Sequence, residues 1–241
     1  RRIADALGGT DTRLVYISTD SVYEGTKGRY TEEDPARPLN VYGQTKWEGE
    51  RPVLERPGGL VLRTNLFGWN IQDKKSLGEW ILCELAAGRS IGGFRDAMFS
   101  TIYTMELARV IDVAIRRKLS GLYNCGSSDS CSKYEFALKI ADRFGFDRRL
   151  IRPISIDDFE FRARRGKDLS FSTKRIEKAL EYRMPDIDQS VDAFYKDYRC
   201  GVPEEIKKSE NNRAGELSFI PYGRQWIDEN DIQAVVQVLR S

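Results

Sequence analysis

The chain is 241 residues long, with 39 Lys+Arg against 37 Asp+Glu (a formal net charge of +2) and 40% hydrophobic residues. So even a balance excludes the strong field of a nucleic-acid or membrane-surface binder, and no apolar run approaches the ~20 residues that span a bilayer. The sequence has no histidine. This removes Ser-His-Asp and Cys-His machinery and the usual His-containing zinc sites, so no metal site is expected. Acid–base chemistry then falls to Tyr, Lys, Asp, Glu or Cys.

The opening "RRIADALGG" is too short, and too polar in its middle, for a signal peptide. It reads as the later part of an amphipathic helix, and with no initiator Met the chain is expected to be a fragment of a longer protein. "RLVYIS", Arg13 to Ser18, is β-branched and aromatic and predicts a central parallel strand. Residues 24–40 are rich in Gly and Pro and predict a loop. Asn40 is placed to cap a helix from Val41 to about Glu50, stopped near Pro52. "GLVLRTNLFG" predicts the next strand. "LGEWILCELAAG" predicts a helix ending at Gly88.

A further helix is expected from Tyr103 to about Lys118, and a short strand at "GLYNCG". Ser132 with Glu135 three residues on forms a capping-box pattern ahead of "KYEFALKIADRFGF". "STKRIEKAL" and "SVDAFYKDY" predict short helices. Strands alternating with helices give an α/β fold: the C-terminal part of a Rossmann-like parallel sheet with a small mixed α/β substrate-binding region. The four cysteines, Cys83, Cys125, Cys131 and Cys200, form no CxxC pair and suit the reduced thiols of a cytoplasmic protein. The composition breaks after Tyr198. The expected domains are residues 1–203, a linker over 204–216, and the truncated start of a second domain over 217–241.

Tyr42 and Lys46 lie at i and i+4 and share one helix face. A neighbouring ammonium favours the phenolate. Bringing a tyrosine from its usual pKa to neutrality takes roughly 4 kcal/mol of differential stabilisation, a task that a positive cofactor ring can share. Such a pair passes a proton to or from a sugar-type oxygen. Thr19, at a strand end, is placed to hold the same oxygen. YxxxK alone is weak, and its bland alternative is an exposed pair.

Together, "STDSVYEG", "YTEEDPARPLN" and "VYGQTKWEGE" resemble the extended short-chain dehydrogenase/reductases. With "VLRTNLFG", "FSTIYTMELARVI", "GLYNCGSSDSCSKYEFALKIADRFG" and "ARRGKDLSFSTKRIEKAL" they resemble the dTDP-4-dehydrorhamnose reductase family over about residues 1–200. The resemblance implies a catalytic set of Thr19, Tyr42 and Lys46, with Lys46 also on the nicotinamide ribose. It implies reduction by NADPH or NADH of a 4-keto nucleotide sugar, with Tyr42 as proton donor.

Cofactor-binding candidates are thus Tyr42, Lys46 and Asn65, the last with an equal turn reading. Substrate-binding candidates are Asp20 (or a turn cap), Tyr23 (or core packing) and Arg165 in "RARRGK" (or a solvated loop). An Arg often precedes a Pro in the matching family segment, and here Gly166 stands at that place. Trp69 and Trp80 are expected to pack rather than bind a base.

No GxGxxG or GxxGxxG lies in the chain, whereas the family places its glycine turn before the "STD" segment. The chain is therefore expected to bind the nicotinamide cofactor less tightly than normal. "IPYGRQWIDENDIQAVVQVLRS" resembles the opening of the PLP-dependent sugar-nucleotide aminotransferases, which implies a fusion to an aminotransferase domain. The expected partners are a nucleotide-sugar substrate and a second copy in a homodimer, with no nucleic acid and no membrane. Two alternative functions remain. One is an epimerase or dehydratase with the same Thr–Tyr–Lys set, although Ser21 replaces the second acidic residue of a dehydratase. The other is a non-catalytic sugar-nucleotide-binding or regulatory module, as in the regulatory subunit of methionine adenosyltransferase.

Overall fold

Three parallel strands form the central sheet of the protein, whose computed structural model describes residues 2–7, 9–70, 75–161 and 163–206. The middle strand is β2 (Leu60–Thr64), every residue of which is buried. β1 (Val15–Thr19) pairs with it on one side, in a register running from Val15↔Leu60 to Thr19↔Thr64, and β7 (Gly121–Asn124) pairs on the other. The sequence reading put "RLVYIS" at the centre. Among the described residues it lies at the edge, and the first three residues of β1 are only half-buried. An alternation-free apolar run fits a central strand and a one-sided strand against a helix equally well.

The helix that covers β1 is α2 (Val41–Leu54), and two glycines admit it. A Cβ at Gly43 would sit 2.3 Å from the Ser21 carbonyl oxygen, and one at Gly49 would sit 2.4 Å from the Tyr16 hydroxyl. Asn40 caps α2 by accepting from the Gly43 N–H at 2.9 Å. Pro52 does not stop the helix, which runs two residues further. Proline removes one N–H and crowds the preceding turn, but Val53, buried in the core, holds the last turn in place.

"GLVLRTNLFG" is not one strand. It breaks at Asn65 into β2 and β3 (Leu66–Phe67), and β3 pairs with β6 (Ile102–Tyr103) in a separate ribbon. The remaining helices are α1 (Arg2–Ala6), α3 (Leu77–Ala86), α4 (Thr104–Arg116), α5 (Lys133–Phe144), α6 (Lys174–Leu180) and α7 (Ile187–Arg199). Capping boxes open α3, α5 and α7 at Ser76, Ser132 and Asp186. Gly88, just past α3, has a φ of 67°, which suits its predicted stop.

The sequence reading did not foresee the parallel pair β4 (Ile91–Phe94) and β9 (Ile151–Ile154), nor the antiparallel pair β5 (Met98–Phe99) and β8 (Cys131–Ser132). Each has four residues or fewer, too short for a periodic signal.

Three apolar clusters hold these layers. One centres on Phe67, Phe136 and Phe194. A second lies between the central sheet and α4 and α6. A third is Val22, Tyr23, Tyr30 and Phe171. Trp69 stacks on Phe194 with centroids 4.0 Å apart, a packing role, while Trp80 is 39% exposed. All four cysteines are free thiols, and burial pushes those of Cys125 and Cys131 up to about 12.

The chain divides into two compact units, Arg1–Pro203 and Glu204–Ser241. The second lies almost wholly outside the described residues, as do most of the expected linker and the aminotransferase-like segment 217–241. No helix among the described residues is long and apolar enough to cross a membrane.

Candidate active site

A cleft of about 910 Å³ opens at the C-terminal ends of β1 and β2, where parallel sheets place their ligands. Thr19, Tyr42 and Lys46 all line it. Thr19 is the last residue of β1. Its buried hydroxyl accepts from the Ser21 N–H at 3.2 Å and donates to Asp20 Oδ1 at 3.1 Å. Tyr42 sits in the first turn of α2, 59% exposed, and its hydroxyl has no protein hydrogen bond among the described residues. One turn on, the half-buried Lys46 donates from Nζ to the Ile17 carbonyl at 2.6 Å and lies 4.6 Å from the Tyr16 ring centroid. Burial lowers the Lys46 pKa, and Glu50 opposes that shift.

Glu50 extends the same helical stripe by another turn, and sequence reading passed it over. It is buried and takes a two-pronged ion pair from Arg63 at 2.9 and 2.7 Å, while Ser18 Oγ donates to it at 2.5 Å. α2 is thereby tied to β1 and β2 directly beneath the Tyr–Lys pair. The i+4 spacing after Lys46 was the signal in the sequence. That Arg63 meets it had no local signal.

Asp20 and Asn65 come together in the cleft, with Asn65 Nδ2 donating to Asp20 Oδ2 at 2.7 Å. Burial raises the Asp20 pKa against the hydrogen bonds from Asn65, Thr19 and Ser21 and the charge of Lys133. Between the unfolded carboxylate value and the raised folded value, the native state holds the proton, so stability falls as pH rises through that window. Asp20→Asn lacks the penalty. It is expected to raise Tm relative to the parent more at about pH 7 than at about pH 3, a comparison that thermal denaturation at both values reads directly.

Tyr23 also lines the cleft, but its hydroxyl is engaged elsewhere. It accepts from Arg63 at 3.0 Å and donates to Asn124 Oδ1 at 2.9 Å, while its ring stacks on Tyr30 at 4.4 Å. Its apolar packing is what the geometry displays.

Arg165 lines the cleft from a strap over residues 163–169, with its guanidinium 4.6 Å from the Phe161 ring centroid; Arg162 lies outside the described residues. The strap is pinned at several points. Asn40 Nδ2 donates to the Arg164 carbonyl at 3.0 Å, and the Lys167 and Asp168 N–H groups both donate to the Gly25 carbonyl. Glycine at 166 now has a reason: a Cβ there would sit 2.6 Å from the Gly25 Cα. Gly166→Ala is expected to cost about 1–3 kcal/mol through overpacking against backbone, read as a lower urea midpoint.

Two further residues emerge only from the structure. Thr64 Oγ1, level with Thr19 across the β1–β2 pair, is buried in the cleft wall without a hydrogen-bond partner among the described residues. Lys133, the first residue of α5, also lines the cleft.

The family described as RmlD substrate binding domain matches residues 1–200. The chain belongs to that family. Within this RmlD-type family, a solved dTDP-4-dehydrorhamnose reductase from Bacillus anthracis in complex with NADP superposes with a TM-score of 0.74 at 27% identity, over 81% of this chain and 69% of that one. Methionine adenosyltransferase 2 subunit beta from Danio rerio is 30% identical over 173 residues, 68% of this chain and 53% of that protein. A probable low-salt glycan biosynthesis reductase from Haloferax volcanii is 26% identical over 193 residues, 77% of this chain and 64% of that protein. The chain thus spans about half the length of the methionine adenosyltransferase relative and under two thirds of the archaeal one.

Proposed function

We propose that this chain carries the catalytic and sugar-nucleotide-binding part of an NAD(P)H-dependent reductase acting on a 4-keto sugar linked to a nucleoside diphosphate. The observation that carries the reading is the gathering of Thr19, Tyr42 and Lys46 around one cleft. The family match over residues 1–200 and the likeness to the reductase in complex with NADP support it.

The residues present fit the nicotinamide end of such a cofactor. Lys46 uses one N–H on Ile17, which leaves two for a ribose. The buried Thr64 hydroxyl has no partner among the described residues, and Leu66 and Val41 offer exposed apolar surface to the same cleft. A bound nicotinamide supplies the hydride that reduces the sugar carbonyl. Tyr42 gives its phenolic proton to the carbonyl oxygen as that oxygen gains charge. Thr19 turns its O–H from Asp20 to the same oxygen and orients it. The exposed Tyr42 recovers its proton from solvent. Asp20 is placed to accept from a sugar hydroxyl.

The test is product analysis with hydride-labelled NADPH or NADH at saturating concentration. Label transferred to the sugar, with net consumption of the reduced cofactor, is the expected result. Label returned to the cofactor would mean an epimerase or dehydratase. A binding role without turnover is the second reading, favoured by the similarity to methionine adenosyltransferase 2 subunit beta. Nucleotide binding with no label transfer would select it.

A further inference from the structure

Two consecutive residues of β1 hold the Lys46 side chain. Its Nζ donates to the Ile17 carbonyl at 2.6 Å and stands over the Tyr16 ring, 4.6 Å from the centroid. The Tyr16 hydroxyl in turn donates to the Lys46 carbonyl at 3.2 Å, so the tyrosine meets the lysine at both its backbone and its ammonium. Gly49 makes room for this, since a Cβ there would sit 2.4 Å from the Tyr16 hydroxyl. Tyr16 and Ser18, two apart on one face of β1, thus engage Lys46 and Glu50, four apart on one face of α2.

We propose that Tyr16 is a positioning residue for the reaction, its ring face and hydroxyl fixing the protonated Lys46 ammonium at the cleft wall where the nicotinamide ribose docks. The inference rests on the reading of the cleft as a reductase site.

A half-buried ammonium needs such a holder. Burial lowers the Lys46 pKa, and the charge of Glu50 opposes that shift. The Glu50 oxygens, however, are engaged by Arg63 and Ser18. The electron-rich face of Tyr16 supplies a short-range attraction in addition, and it does so without accepting the proton. With one N–H fixed on Ile17 and the ring on a second side, the four-carbon stem is ordered before the cofactor arrives, which lowers the entropy lost on binding. Burial first, then Glu50 and Tyr42, raises the Tyr16 pKa, so the phenol keeps its proton while Lys46 titrates. The other charged and titratable groups about this point are Tyr42 and Glu50 on α2, Asp20 just past β1, Arg63 on β2 and Lys75, which lines the same cleft. None of them is altered in the variants below.

The experiment measures the Lys46 pKa in the full chain by competitive acetylation with acetic anhydride across pH, following the Lys46 peptide by mass spectrometry. The samples are the parent, Tyr16→Phe, Tyr16→Leu and Tyr16→trifluorophenylalanine. Tyr16→Phe keeps the ring and should hold the parent value. Tyr16→Leu, and the fluorinated ring whose face no longer attracts a cation, should lower it by about one pH unit. Loosening of α2 alone has the opposite sign, because it wets Lys46 and lifts the pKa towards that of a free lysine. A rise or no change in these two variants would therefore overturn the proposal. Hydride transfer from labelled NADPH supplies the second readout. The ratio of parent to Tyr16→Leu kcat/KM should grow as pH passes the variant's Lys46 pKa, with KM for NADPH carrying the change. A ratio constant with pH would mean a purely structural role and would also overturn it. The acetylation arm needs no turnover, which keeps the two failures apart. If the parent transfers no hydride from saturating NADPH or NADH, the reductase reading fails and takes the role of Tyr16 with it. If the parent transfers hydride and the Lys46 pKa ignores the ring, only the role of Tyr16 fails.

Discussion

Glu50→Ala is expected to lower the unfolding free energy by about 3–5 kcal/mol, the usual consequence of leaving one partner of a buried ion pair alone. Arg63 and Glu50 have side-chain exposures of only 4% and 3%, and the pair is joined by two short hydrogen bonds. Removing the carboxylate strands a guanidinium inside the sheet and frees Ser18 Oγ as well. It is the loss of compensation that costs, more than the loss of attraction, since the pair's own desolvation already offsets much of its Coulomb energy. The double variant Glu50→Leu with Arg63→Met should therefore recover a large part of the loss. Urea denaturation of the parent, the single and the double variants checks both statements. A single variant within about 1 kcal/mol of the parent would mean that the pair does not secure α2 to the sheet.

Tyr42→Phe is expected to lower kcat/KM by about 10²–10⁴-fold, the range for loss of a positioned general acid, with Tm unchanged. The Tyr42 side chain is 59% exposed and its hydroxyl has no protein partner among the described residues, so removing one oxygen leaves no buried group unsatisfied. Turnover at saturating cofactor and thermal denaturation, measured on the same sample, decide the matter. Retained turnover would remove Tyr42 from the chemistry and favour the binding reading.

The two experiments together separate the ends of one helical stripe. Tyr42, Lys46 and Glu50 follow at four-residue intervals along α2. The first faces the cleft, the second touches the β1 backbone through Ile17, and the third is buried between the strands. Raising salt should therefore weaken exposed pairs such as Arg51–Glu55 and leave the Glu50–Arg63 anchor in place.

Much of this site was legible in the residues because its parts are local. The Tyr42–Lys46 pair follows from helical periodicity, the Asn40 cap from a side chain reaching three residues ahead, and Thr19 from its place at the end of an apolar run. Where local signals competed with packing, they failed. Pro52 gave way to the burial of Val53, which holds the last turn of α2 in place. Tyr23 shows the same limit: its neighbours in sequence give no hint that Arg63 and Asn124 engage its hydroxyl.

By itself the sequence determined the succession of the longer helices and the main strands, the Asn40, Ser132 and Gly88 signals at helix ends, and the helical stripe that carries Tyr42 and Lys46, since each rests on interactions within a turn or two of the chain. Only the tertiary structure decided the rest. Asn40 meets Arg164 across 124 residues and Arg29 meets Ser170 across 141, and these contacts fix where Arg165 points and why residue 166 has no side chain. The physical reason is that such contacts are selected by shape and by the satisfaction of buried polar groups once the layers pack. No periodicity along the chain encodes which distant segment will fill a given space.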